Sequence, residues 1–290
     1  MPIPMKRFLN RYREILLTLF LGVAVFLFWR FRYPFALTYQ EQLQLFLFDD
    51  DYFAMRMAEP GGFARYIAEF LVQFYNGVTI GAFIIAVLFM LLQRLVWRLM
   101  RSECHYLLSF IPVLMLWYAM GDESVLLTYV VALVLALCVM IGWTHLNGCG
   151  RLVKWGVIII AIPVLYWLLG PIVIMVAVWM SPLSVIYALA LMFASAHILP
   201  YPMLRVLLGI GYYRFPVTLP YMLATVLVAI LLLAYFARKL PTGKPWLKWV
   251  ELAVILILFG VRDLNYNSRK YELIEYDYLV RLNDWNAIIA

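Results

Sequence analysis

The chain has 290 residues, 66% of them hydrophobic and only 13% charged, with a mean hydropathy of +0.91. A soluble domain is about 45–50% apolar and about 25% charged and must clothe its surface in polar groups, so a soluble enzyme is excluded and the excess apolar surface belongs in lipid. The net charge of +7 sits in short Lys and Arg clusters at the ends of apolar runs, which points to membrane anchoring and away from nucleic acid.

The N-terminus carries Lys6, Arg7, Arg11 and Arg13, then the apolar run Ile15 to Trp29, then Arg30-Phe31-Arg32-Tyr33-Pro34. No small-x-small cleavage site follows, so the run reads as an uncleaved anchor helix. Spanning a hydrocarbon core of about 30 Å takes about 20 helical residues. Runs of that order lie near residues 15–33, 77–97, 105–120, 125–145, 155–180, 183–199, 217–237 and 247–261. The expected fold is therefore all-α, a polytopic transmembrane bundle of about eight spans over residues 1–262. Pro163, Gly170, Pro171, Pro182, Pro200, Pro202, Pro216 and Pro220 predict kinked or discontinuous later helices.

Basic residues set the orientation. Lys6 to Arg13, then Arg94, Arg98 and Arg101, then Arg151 and Lys154 fall on one side if spans alternate, which places the N-terminus in the cytoplasm of a cell with the chain in its inner membrane. Arg238, Lys239, Lys244 and Lys248 break the pattern on an eight-span count. Either a further pass lies within 155–216 or the rule fails there, and the basic residues favour an outer C-terminus. Cys104, Cys138 and Cys149 show no CxxC spacing and imply neither a disulfide framework nor a zinc site.

Residues 34–76 form a long first outer loop, and a loop of that length is usually functional. It reads as two interfacial helices. The first runs from about Glu41 to Met57 and ends at the Pro60-Gly61-Gly62 hinge. The second places Phe63, Ile67, Phe70, Leu71 and Phe74 on a membrane-facing side and Arg65, Glu69 and Gln73 on the other. Glu41 is a candidate general base or a helix-terminal acid. Asp49, with Asp51, is a candidate divalent-cation ligand or part of a solvated face, and Asp122-Glu123 in the next outer turn offers further carboxylates. Glu251, an acid within an apolar run, has Lys248 as its nearest partner in sequence. Residues 265–290 change character and read as the start of a soluble helical region, ending inside the pattern at Asp284-Trp285 to Ala290 as a fragment of something longer would.

An acid just after the first span, two interfacial helices and an acidic pair between the third and fourth spans together resemble the GT-C glycosyltransferase architecture. That resemblance implies a lipid-linked sugar donor on a polyprenyl phosphate, Glu41 as catalytic base and Asp122 or Glu123 as the second-loop acid. The architecture usually carries an Asp or Asp-Glu pair where this chain has Glu41-Gln42. The wording of Glu41 to Leu47, Asp51-Tyr52-Phe53, Glu59 to Gly62, Phe70 to Tyr75 and Asp277 to Arg281 also resembles an uncharacterised bacterial multi-pass family, which implies kinship and no activity. The alternatives are a membrane anchor presenting the tail to protein partners, and a transporter, for which the first seven runs carry almost no ionisable residue at mid-depth.

Overall fold

The computed structural model describes residues 3–100, 105–148, 150–214, 219–241, 244–265 and 268–281. Among these residues there is no strand, only an isolated bridge between Val125 and Tyr213. The helices are α1 (Ile3–Leu27), α2 (Pro34–Gln42), α3 (Asp50–Met57), α4 (Gly62–Val72), α5 (Val78–Met100), α6 (Ile111–Ala119), α7 (Leu127–His145), α8 (Arg151–Leu169), α9 (Val173–Met180), α10 (Pro182–Ile198), α11 (Met203–Leu208), α12 (Leu219–Phe236), α13 (Pro245–Val261) and α14 (Ser268–Arg281). The tail from 282 to 290, Arg101, Cys104, Cys149 and Pro216 lie outside the described residues.

Among the described residues, five helical segments are long and apolar enough to cross a membrane: Tyr12–Arg32, Val78–Met100, Leu127–His145, Arg151–Leu169 and Pro220–Lys239. The expected run 155–180 is not one helix. Gly170 takes φ +80, a left-handed value that an L side chain resists, and ends α8 before Pro171. The apolar helices Tyr106–Ala119 and Pro182–Ile198 are shorter, and α13 carries Lys248 and Glu251 within its 17 residues.

Side-chain contacts fix which helix ends lie together. Arg238 donates from Nε to the Met100 carbonyl at 3.2 Å, so α12 ends where α5 ends, at what we term the far end. Asn265 Nδ2 donates to the Tyr118 carbonyl at 2.9 Å, so α13 returns to the opposite end, where α2 to α4 lie. This is the loop end. The α9–α10 hairpin leaves the loop end at Gly170, reaches the depth of Met140, whose carbonyl accepts from Trp179 at 3.1 Å, and comes back to Tyr201, which donates to Glu59. That extra reversal within 155–216 brings Arg238 and Lys239 to the end where α5 stops.

The core packs α1 on α5, α5 on α7 and α4 on α7 around Trp29, Phe89, Leu92, Trp117 and Leu133. Buried Ala64 and Ala68 keep α4 slim where it packs in the core, with α7 as its main neighbour. A polar network ties the interior: Thr18 donates to Gln93 Oε1 at 3.0 Å, and Gln93 donates onward to Ser109 at 2.7 Å. Such bonds are each worth about 0.6–1 kcal/mol in a bundle, and leaving them unmade costs more. Glu251 finds His105 Nδ1 at 2.5 Å, 146 residues away in sequence, whereas Lys248 is exposed. A buried carboxylate needs its partner inside the protein, and only tertiary packing brings His105 there.

The first loop also differs from expectation. Instead of one helix over 41–57, α2 stops at Gln42 and α3 begins at Asp50. Phe46 is buried among Phe48, Tyr52, Tyr66 and Phe70, with ring centroids 4.8–5.6 Å away. Side chains replace the lost helical bonds: Tyr52 donates to the Leu45 carbonyl at 2.7 Å and Gln73 to the Phe46 carbonyl at 2.8 Å. Asp50 and Asp51 then occupy the first turn of α3, where the helix dipole favours acids.

Gly62 has no room for a side chain, since a Cβ there would stand 1.8 Å from the Arg56 carbonyl oxygen. Gly62→Ala should cost roughly 1–3 kcal/mol or more. Gly156→Ala in α8, where a Cβ meets nothing within 4 Å, should be neutral or gain up to about 1 kcal/mol. Thermal midpoints in detergent check both.

Candidate functional site: an arginine-lined cavity at the loop end

The hinge places α3 and α4 side by side. Gly61 takes φ +84, its amide donates to the Trp167 carbonyl at 2.8 Å, and Trp167 Nε1 donates to the Met57 carbonyl at 2.7 Å, which pins the loop to the end of α8. With α4 locked this way, Glu69 points inward. It is 3% exposed, not on a solvated face as its spacing suggests. Arg56 Nε approaches Oε2 at 2.7 Å, Arg65 Nε approaches Oε1 at 3.0 Å, and the Tyr52 hydroxyl lies 2.5 Å from Oε2. Burial, then the hydrogen bond to the Glu69 carboxylate, pushes the Tyr52 phenol up to about 12, so at neutral pH it stays protonated and donates. Arg65 also pairs with Glu59 at 3.0 Å, and Glu59 accepts from Tyr201. That hydrogen bond, with burial behind it, raises the Tyr201 phenol as well.

These groups form one side of a cavity of about 540 Å³. The remaining wall comes from Leu43 to Leu47, Leu126, and the stretch around α11 that carries Arg205, Gly211, Tyr213 and Arg214. Four arginines (56, 65, 205 and 214) line it against the carboxylate of Glu69, and counting Glu59 still leaves four positive charges against two negative. Gly211 keeps its backbone close to the arginines, a Cβ there being 3.1 Å from Arg65 Cδ. Two buried polar groups on the wall, Gln44 Nε2 and the Tyr213 hydroxyl, have no hydrogen-bond partner among the described residues. The excess of cations makes the hollow electrostatically complementary to an anion.

The stretch carrying Tyr213 has two faces. Leu126 N donates to the Tyr212 carbonyl and Arg214 N to the Ser124 carbonyl, both at 2.9 Å, holding it extended across the second loop-end turn. Consecutive residues of an extended stretch face opposite sides. Tyr213 lines the cationic cavity, whereas Tyr212 lines a separate, mainly apolar groove of about 380 Å³ between α9 and α12, with Met175, Leu207, Leu223 and Leu227.

Glu41 lies in the last turn of α2, half-buried, two residues before the wall begins at Leu43, and its carboxylate has no partner among the described residues. Its neighbour Gln40 donates from Nε2 to the Val125 carbonyl at 3.2 Å and reaches that of Glu123 at 3.4 Å, so the two acidic turns do meet at one end. The acids of the second turn are already engaged. Asp122 Oδ1 accepts from Ser124 N at 2.8 Å, and Glu123 pairs with Lys270 of α14 at 2.6 Å, which raises the lysine's affinity for its proton. Asp49 and Asp51 are exposed around the start of α3, and among the described residues no three His, Cys, Asp or Glu side chains gather as metal ligands. The arginines and Glu69 were the residues that sequence spacing missed. The available signal was an Arg65–Glu69 pair at i,i+4 flanked by alanines, which small-residue packing carries inward.

Glu69→Gln should lower stability by about 2 kcal/mol, less than the 3–5 typical when a fully buried pair is broken, because Arg56 and Arg65 keep some contact with water. A double-mutant cycle with Arg65→Ala checks the coupling. Tyr52 carries a pH signature. Its pKa is raised on folding, so its contribution is complete below pH 10 and is lost as pH rises from about 10 to about 12. The thermal midpoint of Tyr52→Phe should fall less over that interval than that of the parent.

No curated protein matches this chain, and no solved structure does. Residues 10–290 match a family of unknown function, DUF6057, and the chain belongs to that family.

Proposed function

We propose that this protein binds a phosphate-bearing polyprenyl lipid at the loop end and acts there as a GT-C-like glycosyltransferase module. The observation that carries the reading is the shared wall at residues 205–213, with an arginine-lined cavity on one side and a lipid-sized apolar groove on the other. A phosphate or diphosphate meets the first and a hydrocarbon chain the second. Few soluble ligands need both. Glu41, half-buried and unpaired beside the wall, is the candidate base, with Asp122 or Glu123, in the turn that Gln40 ties to α2, as the second-loop acid. A divalent cation would have to come bridged by the lipid phosphate, since Asp49 and Asp51 stand outside the cavity wall.

The same reading sets the membrane frame. Arg98, Arg151, Lys154, Arg238, Lys239, Lys244 and Lys248 gather toward the far end, which the positive-inside rule makes cytoplasmic. The α9–α10 hairpin supplies a ninth pass, the N-terminus is cytoplasmic, the protein sits in the inner membrane, and the cavity opens on the opposite face. A second reading, an anchor presenting its tail, draws on α14. That helix docks on the first loop through Tyr271 against Tyr33 and Tyr278 against Phe35, at 5.0 and 5.1 Å, so the tail and the cavity share one face.

Arg205 and Arg214 are exposed cavity residues, so their replacement spares the core. Charge-assisted hydrogen bonds are worth about 1.5–3 kcal/mol, so Arg205→Ala or Arg214→Ala should weaken polyprenyl-phosphate binding by roughly 10–100-fold. The thermal midpoint without lipid should be unchanged. Equal binding of polyprenol and polyprenyl phosphate would remove the phosphate from the account. In membranes supplied with lipid-linked sugar donors, Glu41→Gln should lower transfer by about 10²–10⁴-fold. Full activity in that variant would leave binding without the proposed base.

A further inference from the structure

A second cationic hollow lies at the far end. It has a volume of about 360 Å³ and is lined by Lys154 at the start of α8, Arg238 after α12, Trp143 and Thr144 at the end of α7, Trp179 at the end of α9, and Tyr235. Its walls are fixed from behind. Arg238 is held by the Met100 carbonyl, Trp179 Nε1 donates to the Met140 carbonyl at 3.1 Å, and Tyr235 donates to the Val178 carbonyl at 3.1 Å. The Trp179 and Tyr235 rings meet at 5.3 Å. The described lining carries two cations and no carboxylate, unlike the loop-end cavity, where Glu69 and Glu59 together offset two of the arginines.

We infer that this hollow binds the phosphate of an anionic phospholipid from the leaflet at the far end. Three observations favour a lipid over a soluble anion. The cations stand among indole and phenol rings, the side chains that settle at the headgroup level of a bilayer. Exposed Leu152, Val153, Leu232 and Phe236 flank the hollow on α8 and α12, offering apolar surface to acyl chains. The helices that form it, α7, α8 and α12, are within or make up three of the five segments long and apolar enough to cross a membrane, and the hollow lies where these segments end or begin. Basic pockets between helix ends are a recurrent seat for anionic headgroups. The occupant holds the tips of α7, α8, α9 and α12 together and sets the depth of the bundle. This site uses no residue of the loop-end cavity, so either assignment can fail alone.

The full chain, purified in detergent and placed in nanodiscs, should retain phosphatidylglycerol over phosphatidylcholine when co-purified lipid is weighed by native mass spectrometry. Lys154→Ala and Arg238→Ala should each cut that preference roughly fivefold, and the pair by about 25-fold. Lys244→Ala with Lys248→Ala, which removes two cations from outside the hollow, should leave it within twofold. Equal retention of the two lipids by the parent chain would overturn the proposal. So would an equal loss in the Lys244/Lys248 control, which would mean diffuse surface charge, or displacement of phosphatidylglycerol by millimolar inorganic phosphate, which would mean a soluble anion. If either cavity variant does not fold, the parent chain's lipid preference and its response to phosphate still decide the matter.

Discussion

A single carboxylate organises the loop end. Glu69 is buried, and a buried charge persists only when it is paired and hydrogen-bonded. Arg56, Arg65 and Tyr52 satisfy it from two helices, and to do so α3 and α4 must close against each other across the Gly61 hinge. That closure pulls Phe46 under the aromatic rings, ends α2 early, and leaves the 43–47 stretch as a wall rather than a helix. With Arg56 and Arg65 balanced by Glu69 and Glu59, Arg205 and Arg214 give the cavity its positive excess.

The bundle beneath obeys a different economy. Within it, packing and interior hydrogen bonds hold helices together, because lipid offers apolar side chains no disadvantage. The network from Thr18 through Gln93 to Ser109 and the pair between Glu251 and His105 close polar groups inside the fold. Short α9, framed by Gly170 and Pro182, lets the chain turn back beside the end of α7 and deliver α12 from the loop end to the end where α5 stops. The apolar groove beside α12 follows from that geometry, since an eight-residue helix cannot cover a neighbour of eighteen.

Part of this was legible in the chain. Composition alone dictates long apolar helices, and Pro60-Gly61-Gly62 marks the hinge between α3 and α4. Other features were not legible, for physical reasons. Periodicity tells which residues of α4 share a face but not whether that face meets lipid, water or protein, so Phe63 to Phe74 suggested a membrane-facing side while small Ala64 and Ala68 took the close contact with α7. Partners distant in sequence leave no local trace. Glu251 pairs with His105 rather than Lys248, and Arg205 joins Arg65 only once α10 returns to the loop end. Glu41 lies in the last turn of α2 rather than the first turn of a helix over 41–57, and of the charges that line the hollow beside it only Arg205 and Arg214 come from a segment to which sequence spacing assigned no role.

The central claim is that the loop end seats a phosphorylated lipid astride residues 205–213. Photo-crosslinking with a polyprenyl phosphate that carries a diazirine near the phosphate tests it most directly, with adducts mapped by peptide sequencing. The account predicts adducts on the 205–214 stretch and on residues 43–47, and their suppression by excess unlabelled polyprenyl phosphate but not by polyprenol. Adducts confined to the far end, or scattered over the lipid-facing helices and insensitive to competitor, would contradict it.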